Sequence, residues 1–341
     1  DADALSYRGR AITYREVDET SNRLARRLIE AGAGPGTTVA LSLSRSIESV
    51  LSVWAVARTG AAFLPVDPGY PLDRIEHMLT DSGAVSGVTV REHRDRLPAA
   101  VTWIVLDASG MPTGSGRSRP ARSPTRTGPR RCTNRIPRIS STRPDPQASP
   151  RVWPSRTAAW RTSPQEERDR LAVTRGSRVL HFASPSFDAS VFELVMAFCA
   201  GATLVIAPPT IYGGTELAAL LSDERVSHGF VTPTALASMD PLGFESLRTL
   251  VVAGEACPPE LVARWAPGRR MFNAYGPTET TIVSSISDQL VPGEPVTIGT
   301  PTRGSPRPCW THDCTRCLPV SRASCISQVQ PSRADTAGGS R

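Results

Sequence analysis

The chain runs to 341 residues, 39% apolar and 21% charged, with 31 Pro and 26 Gly; this suffices for two or three domains or one large one, and is too rich in breakers for a long coiled coil. All 39 basic residues are Arg and none is Lys, which excludes any mechanism that needs an ammonium side chain of this chain. The net charge of +7 is concentrated: residues 112–165 carry 12 Arg against the single acid Asp145, and residues 304–341 carry five Arg against two Asp, so the remainder is mildly acidic and a nucleic-acid reading of the charge concerns those two segments only.

In chain order, the start at Asp1-Ala2-Asp3 has no basic n-region, so no signal peptide is expected, and the chain looks cut from something longer. Ile12-Thr13-Tyr14 reads as a short strand. Val17, Leu24, Leu28 and Ile29 follow at helical spacing, stopped by Gly32 and by Gly34-Pro35-Gly36. Then come a strand over 39–43, a helix from Ser46 to Thr59 ending at Gly60, a strand over 62–66, a helix from Leu72 to Leu79 and a strand over 101–106. The same grammar resumes after residue 166: a strand over 178–182, a helix from Asp188 to Ala197 closed by Gly201, a strand over 202–206, a helix over 216–221, a strand over 247–253 and a Pro-started helix over 260–265. Strands alternating with helices of this length predict a parallel α/β sheet. The uncharged run from Leu194 to Thr215 is broken by Gly201 and Pro208-Pro209; it is expected to be a helix end and a buried strand, with no membrane span.

Residues 108–165 do not follow this grammar. The 54 residues of 112–165 hold 12 Arg, 10 Pro and 8 Ser without apolar periodicity, the composition of a disordered, solvated linker. Residues 304–341 are similar, with four Cys added. Cys309, Cys314, Cys317 and Cys325, with His312 between them, leave a zinc site open as an alternative, although the spacing is not that of a standard knuckle. The Arg-rich segment could equally be a nucleic-acid-binding insert, but its only aromatics are Trp153 and Trp160 and it carries no recognised binding motif. Cys132, Cys199 and Cys257 have no pairing logic, which suits a reducing, cytoplasmic setting.

The stretch with the most specific chemistry is Asn273-Ala274-Tyr275-Gly276-Pro277-Thr278-Glu279-Thr280-Thr281. Tyr275 offers a flat face to a purine, Gly276-Pro277 a tight turn, Thr278 a hydroxyl to a phosphate, and Glu279 a hard oxygen to Mg²⁺. A polar loop would read the same way from spacing alone. Here the sequence resembles the adenylation domains of nonribosomal peptide synthetases, in the adenylate-forming, AMP-binding superfamily. Three further stretches match that family's motifs in order: Ile12 to Val17 with Ser21 to Ala25, Arg58 to Pro68, and Phe187-Asp188-Ala189-Ser190-Val191-Phe192-Glu193. The resemblance covers 1–107 and 166–303.

The resemblance implies the family's large N-terminal subdomain, with layered parallel sheets and flanking helices. It also implies the reaction: an amino-acid carboxylate attacks the α-phosphate of ATP, giving aminoacyl-AMP and pyrophosphate, and the adenylate passes to the phosphopantetheine thiol of a peptidyl carrier protein, with a condensation domain as neighbour. Carried over, Tyr275 would stack on adenine, with Asn273, Gly254, Glu255 and Gly276 near the nucleotide. Thr278 would bind the α-phosphate, Glu279 the Mg²⁺, and Asp188 the substrate's α-ammonium group. For Asp188 a helix N-cap is the other reading, and both can hold at once. The side-chain pocket maps to Ala189, Phe192, Phe230, Val251, Ala253, Ala274, Ile282 and Val283. No charge lines it, which implies an apolar, small or medium aliphatic substrate. His181, in a predicted buried strand, is read as structural.

Two features depart from the family. Its phosphate loop, a Ser/Thr/Gly-rich run ending in Pro-Lys-Gly, would fall where the Arg/Pro/Ser segment lies, and no Lys is present. A one-base shift of plausible codons for Thr157 to Ser163 reads His-Arg-Gly-Leu-Ala-Asn-Leu, and for Arg322 to Ser327 it yields Gly-Glu-Leu-Tyr-Ile, both similar to family runs at those places. Residues 108–165 and 304–341 are therefore expected to be translated out of frame. The chain is expected to be a broken large subdomain lacking the C-terminal subdomain and its catalytic Lys, with little or no adenylation activity.

Overall fold

The computed structural model of the protein describes residues 2–107, 170–276 and 282–302, together with the backbone of a two-residue antiparallel strand pair, Ser140–Ser141 and Trp153–Pro154. The zinc reading of the tail and the nucleic-acid reading of the Arg-rich segment lie outside the described residues, apart from that strand pair.

The chain opens with an antiparallel pair, β1 (Asp3–Tyr7) and β2 (Arg10–Thr13). The first strand is one the apolar pattern missed, and the second ends one residue earlier than expected. Tyr14 begins helix α1 (Tyr14–Glu30) because Thr13 caps it: the Glu16 N–H donates to Thr13 Oγ1 and the Thr13 N–H donates to the Glu16 carboxylate. Strand β3 (Thr38–Ser42) follows, then α2 (Ile47–Thr59), capped by Ser46 and ended by Gly60 at φ 79°. Next come β4 (Ala62–Pro65), α3 (Leu72–Ser82), β5 (Ser86–Thr89), the short α4 (Arg91–Arg94) and β6 (Thr102–Val105). The two-residue pair at 140–141 and 153–154 makes β7 and β8.

After residue 170 the elements are β9 (Arg178–His181), α5 (Ala189–Phe198), β10 (Thr203–Ile206), α6 (Gly214–Asp223), β11 (His228–Val231), α7 (Pro233–Ala237), β12 (Thr249–Val252), α8 (Pro259–Trp265), β13 (Arg270–Tyr275), β14 (Ser285–Ile286) and β15 (Thr300–Pro301).

Two main sheets result. The larger has nine strands in the order β15-β14-β13-β12-β11-β9-β10-β1-β2, with the six from β13 to β1 mutually parallel. The smaller is all parallel, in the order β4-β3-β5-β6. Side chains alternate across each strand, so each sheet feeds two cores. Leu204, Ile206, Phe230, Val251 and Phe272 face a core shared with Ile47 and Val50 of α2 and with Phe192 of α5. Val205, Leu250, Val252 and Met271 face the opposite way, against Leu217, Leu236, Leu261 and Trp265 of α6 to α8. In the smaller sheet Val39, Leu41 and Val88 meet Leu24, Leu28, Ala55, Val56 and Val191, while Ala40 and Leu64 meet Ile75 and Met78 of α3. Helices α1, α2 and α5 are thus covered on both sides, and the architecture has five layers: helices, sheet, helices, sheet, helix.

The expected parallel α/β fold is what forms. Of the strands missed in the sequence, which include β1 and β13, β5 and β11 carry Gly87 and Gly229. A Cβ on Gly87 would stand 2.5 Å from the Trp103 ring, so that strand gives up a side chain to seat its neighbour's.

Candidate functional site

In an open parallel sheet, ligands settle where the carboxyl ends of the strands release their loops. Here the residues singled out in the sequence lie in those loops, in the strands that feed them and at the start of α5. Strand β9 leads to Asp188 and α5; β11 leads to Thr232 and α7; β12 leads to Ala253, Gly254 and Glu255; β13 ends in Tyr275 and Gly276.

The eight residues expected to line a side-chain pocket belong to one apolar cluster. Phe192, Phe230, Val251 and Ala274 are buried in it, and Ala189, Ala253, Ile282 and Val283 are half-buried at its border. Register explains part of this: Phe230 pairs with Val251 and Val251 with Phe272, so their side chains share one row on one face. The rings of Phe192 and Phe230 lie 5.0 Å apart at 49°. Ile282 also borders the core that holds Val191 and Val195, so the return from the Tyr275 turn packs with the helix that starts at Asp188.

Asp188 occupies the N-cap position of α5 with φ −62° and ψ −26°, and its side chain makes no capping bond. The carboxylate is half-buried, with Oδ2 shielded from solvent. Capping is therefore not its use.

The β12 loop is shaped by Gly254, at φ 86°, where among the described residues only Thr232 Cγ2 comes within 4 Å of a virtual Cβ, at 3.9 Å. Only a glycine adopts this backbone without strain. Glu255 is exposed and accepts from both the N–H (3.0 Å) and the Oγ1 (2.5 Å) of Thr234, tying the ends of β11 and β12 together.

Tyr275 is 38% exposed at the tip of β13. Its carbonyl accepts from the N–H (2.9 Å) and Oγ (3.1 Å) of Ser284. Gly276 runs against the returning chain, since a Cβ on it would stand 2.2 Å from the Ile282 carbonyl oxygen. Ile282 itself sits at φ 61°. Asn273 is buried and its Nδ2 donates to the Thr297 carbonyl at 2.9 Å, so its amide braces the β14–β15 loop against β13. Thr278 and Glu279 lie outside the described residues. Among the described residues no group of three or more His, Cys, Asp or Glu could hold a metal ion, and no helix is long and apolar enough to cross a membrane.

Two side chains near these loops escaped the sequence reading. Arg45 is 5% exposed; its Nη2 donates to the carbonyls of Pro208 and Ile211 (both 2.9 Å), and its guanidinium lies 5.4 Å from the Phe182 ring centre. Burial lowers its pKa from the usual value, and the charge of nearby Glu193 opposes that. Glu193 was noted only as part of a motif. It is fully buried, accepts from the N–H groups of Phe182 and Ala183, and lies 2.7 Å from His181 Nδ1. A lone carboxylate inside the otherwise uncharged helix Ala189–Phe198 was the available signal; nothing marked Arg45.

Comparison with known proteins follows this geometry. Residues 1–151 and 151–307 match the model of the family described as AMP-binding enzyme. The match takes in 108–165, which the motifs left out. Over 315 residues the chain is 42% identical to novobiocin biosynthesis protein H of Streptomyces niveus, covering 88% of this chain and 50% of that protein. It is 37% identical over 308 residues to phosphinothricin tripeptide synthetase PhsC of Streptomyces viridochromogenes, covering 89% of this chain and 28% of that one. The chain thus spans half the length of the first relative and less of the second. Among solved structures, the AMPPNP-bound form of the nonribosomal peptide synthetase FmoA3 superposes with a TM-score of 0.74 at 27% identity, over 89% of this chain and 33% of that one. The N-terminal subdomain of Klebsiella oxytoca NpsA gives a TM-score of 0.74 at 24% identity over 89% and 78%, a likeness of fold.

Proposed function

The chain belongs to the AMP-binding enzyme family, as an adenylation domain of the nonribosomal-peptide-synthetase kind, and on that premise we propose that it carries the amino-acid and adenine pockets of an amino-acid-activating unit whose own catalysis is impaired. The observation that carries the pocket reading is the convergence of all eight predicted lining residues in one cluster at the carboxyl ends of β11 to β13, beside Asp188.

In this reading the ammonium group of an amino acid meets the Asp188 carboxylate, whose shielding strengthens the attraction. The substrate side chain enters the apolar cluster. The crowded pair Phe192 and Phe230 favours a small or medium aliphatic group. Adenine lies against the exposed face of Tyr275, and the open backbone at Gly254 lets the nucleotide approach the β12 loop. Thr278 and Glu279 serve the α-phosphate and Mg²⁺. Holding carboxylate and phosphate together is most of the work in such a transfer, and the adenylate would then pass to the phosphopantetheine thiol of a carrier protein in a cytoplasmic assembly line.

Impairment follows from the sequence. The family's phosphate-loop Lys has no counterpart in a chain without Lys, so the leaving pyrophosphate lacks its cation. The out-of-frame reading of 108–165 rests on the codon shift at Thr157 to Ser163, and the family match takes that segment in. A second reading, a non-catalytic binder of nucleotide or amino acid, is favoured by the same lack of Lys beside the apolar cluster around Phe192 and Phe230. ATP–pyrophosphate exchange with apolar amino acids tests impairment: no exchange above background is expected, and a robust amino-acid-dependent signal overturns it. Calorimetry with ATP and with L-valine tests the pockets, and absence of binding to both overturns them.

A further inference from the structure

Helix α5 buries a single charged side chain, Glu193, with 0% exposure. A carboxylate taken out of water without partners costs several kcal/mol, so the donors that meet it reveal its role. His181 Nδ1 lies 2.7 Å from Oε2. The Phe182 N–H donates to both oxygens at 3.1 Å, and the Ala183 N–H donates at 3.0 and 3.3 Å. A carboxylate that receives two backbone N–H groups acts as an acceptor, which directs the His181 proton onto Nδ1. All three donors are consecutive: the last residue of β9 and the first two of the loop that runs to Asp188.

That loop is short and fixed again at its far end. The Phe187 N–H donates to the Ser184 carbonyl at 2.9 Å, and Ser190 Oγ donates to the Phe187 carbonyl at 2.7 Å. The helix that begins beside Asp188 therefore reaches back, about a turn and a half further on, to grip the strand end from which the loop departs. Phe182 is held twice, by its N–H on Glu193 and by its ring under the Arg45 guanidinium.

We propose that Glu193 is a positioning residue for Asp188: by clamping residues 181–183 to α5 it fixes the loop that carries the Asp188 carboxylate to the mouth of the apolar pocket. A purely packing role would be better served by Met or Leu, because a buried carboxylate contributes less to stability than an apolar side chain of its size. What the carboxylate adds is direction, through hydrogen bonds to two consecutive backbone N–H groups. The proposal rests on reading Asp188 as the partner of the substrate's ammonium group, so the test separates the two.

Residue-resolved amide exchange on the full chain comes first. In the unaltered protein the Phe182 and Ala183 amides are expected to exchange as slowly as those of β9; exchange at the rate of an open loop overturns the proposal even if no variant folds. In Glu193→Gln, which keeps the volume and loses the charge, those amides and the 184–188 loop are expected to exchange about tenfold faster or more, with β3 unchanged. Calorimetry with L-valine and with ATP then completes the test. Glu193→Gln should weaken L-valine about tenfold or more and leave ATP within about twofold. Unchanged exchange, or faster exchange with unchanged L-valine affinity, overturns the positioning role. If the unaltered chain binds no amino acid while its exchange behaves as expected, the substrate reading of Asp188 fails and the grip of Glu193 on the loop stands.

Discussion

Gly276 and Ile282 face each other so closely that one added carbon on Gly276 would stand 2.2 Å from the Ile282 carbonyl oxygen. The obstacle is backbone, which cannot swing aside as a side-chain tip can. Gly276→Ala must push the Tyr275 turn open. A loss of at least about 2 kcal/mol in urea unfolding is expected, at the upper range of overpacking effects. Loss of ATP binding in calorimetry should accompany it.

Asp188 starts α5 without capping it. Asp188→Asn removes charge but little volume. The substitution should leave the unfolding midpoint nearly unchanged, and lower the affinity for an apolar amino acid about tenfold or more while ATP affinity holds. An equal loss for both ligands would place Asp188 in the scaffold instead.

Phe192 and Phe230 share one wall, rings 5.0 Å apart. Phe230→Leu trims that wall at a cost of about 1–1.5 kcal/mol. The preference among aliphatic amino acids should then shift towards bulkier side chains, read by competition calorimetry. A variant that ranks them as the unaltered chain does would move the pocket elsewhere.

His228 gives a pH signature. It is buried in β11, with Nε2 3.1 Å from the Leu171 carbonyl and Nδ1 2.8 Å from Ser227 Oγ. Burial lowers its pKa from the usual 6.5; the Leu171 and Ala172 backbones pull it back up, and Arg270 and Arg248 push it further down. The folded chain keeps this imidazole neutral while the unfolded chain protonates it. Its contribution is therefore fully present above pH 6.5 and is lost as pH falls towards the lowered folded value. Urea midpoints from about pH 7.5 to 5.5 should decline less in His228→Asn than in the unaltered protein.

Much of this was legible beforehand because apolar periodicity and Gly stops are local. Ser46 announces its helix and Gly60 ends it, whereas Thr13, read as strand, turned out to cap α1. The pocket residues were legible only through motif resemblance: nothing in the spacing of Phe192, Phe230 and Val251 tells that three separate elements meet. Strands β5 and β11 were hidden by glycines whose purpose lies on a neighbouring strand. The use of Asp188 was ambiguous because an acid before a helix usually caps it; its backbone, already helical, decides against that. Arg45 was invisible because its partners, the Pro208 and Ile211 carbonyls, are distant in the chain.

Strand β1 is seated between β2 and β10, with Thr203 Oγ1 donating to the Asp3 carbonyl across 200 residues of chain. During synthesis, at roughly 5–20 residues per second, that seat does not exist for some tens of seconds after β1 has emerged. Until then the β1–β2 hairpin must wait with the β10-facing edge of β1 unpaired.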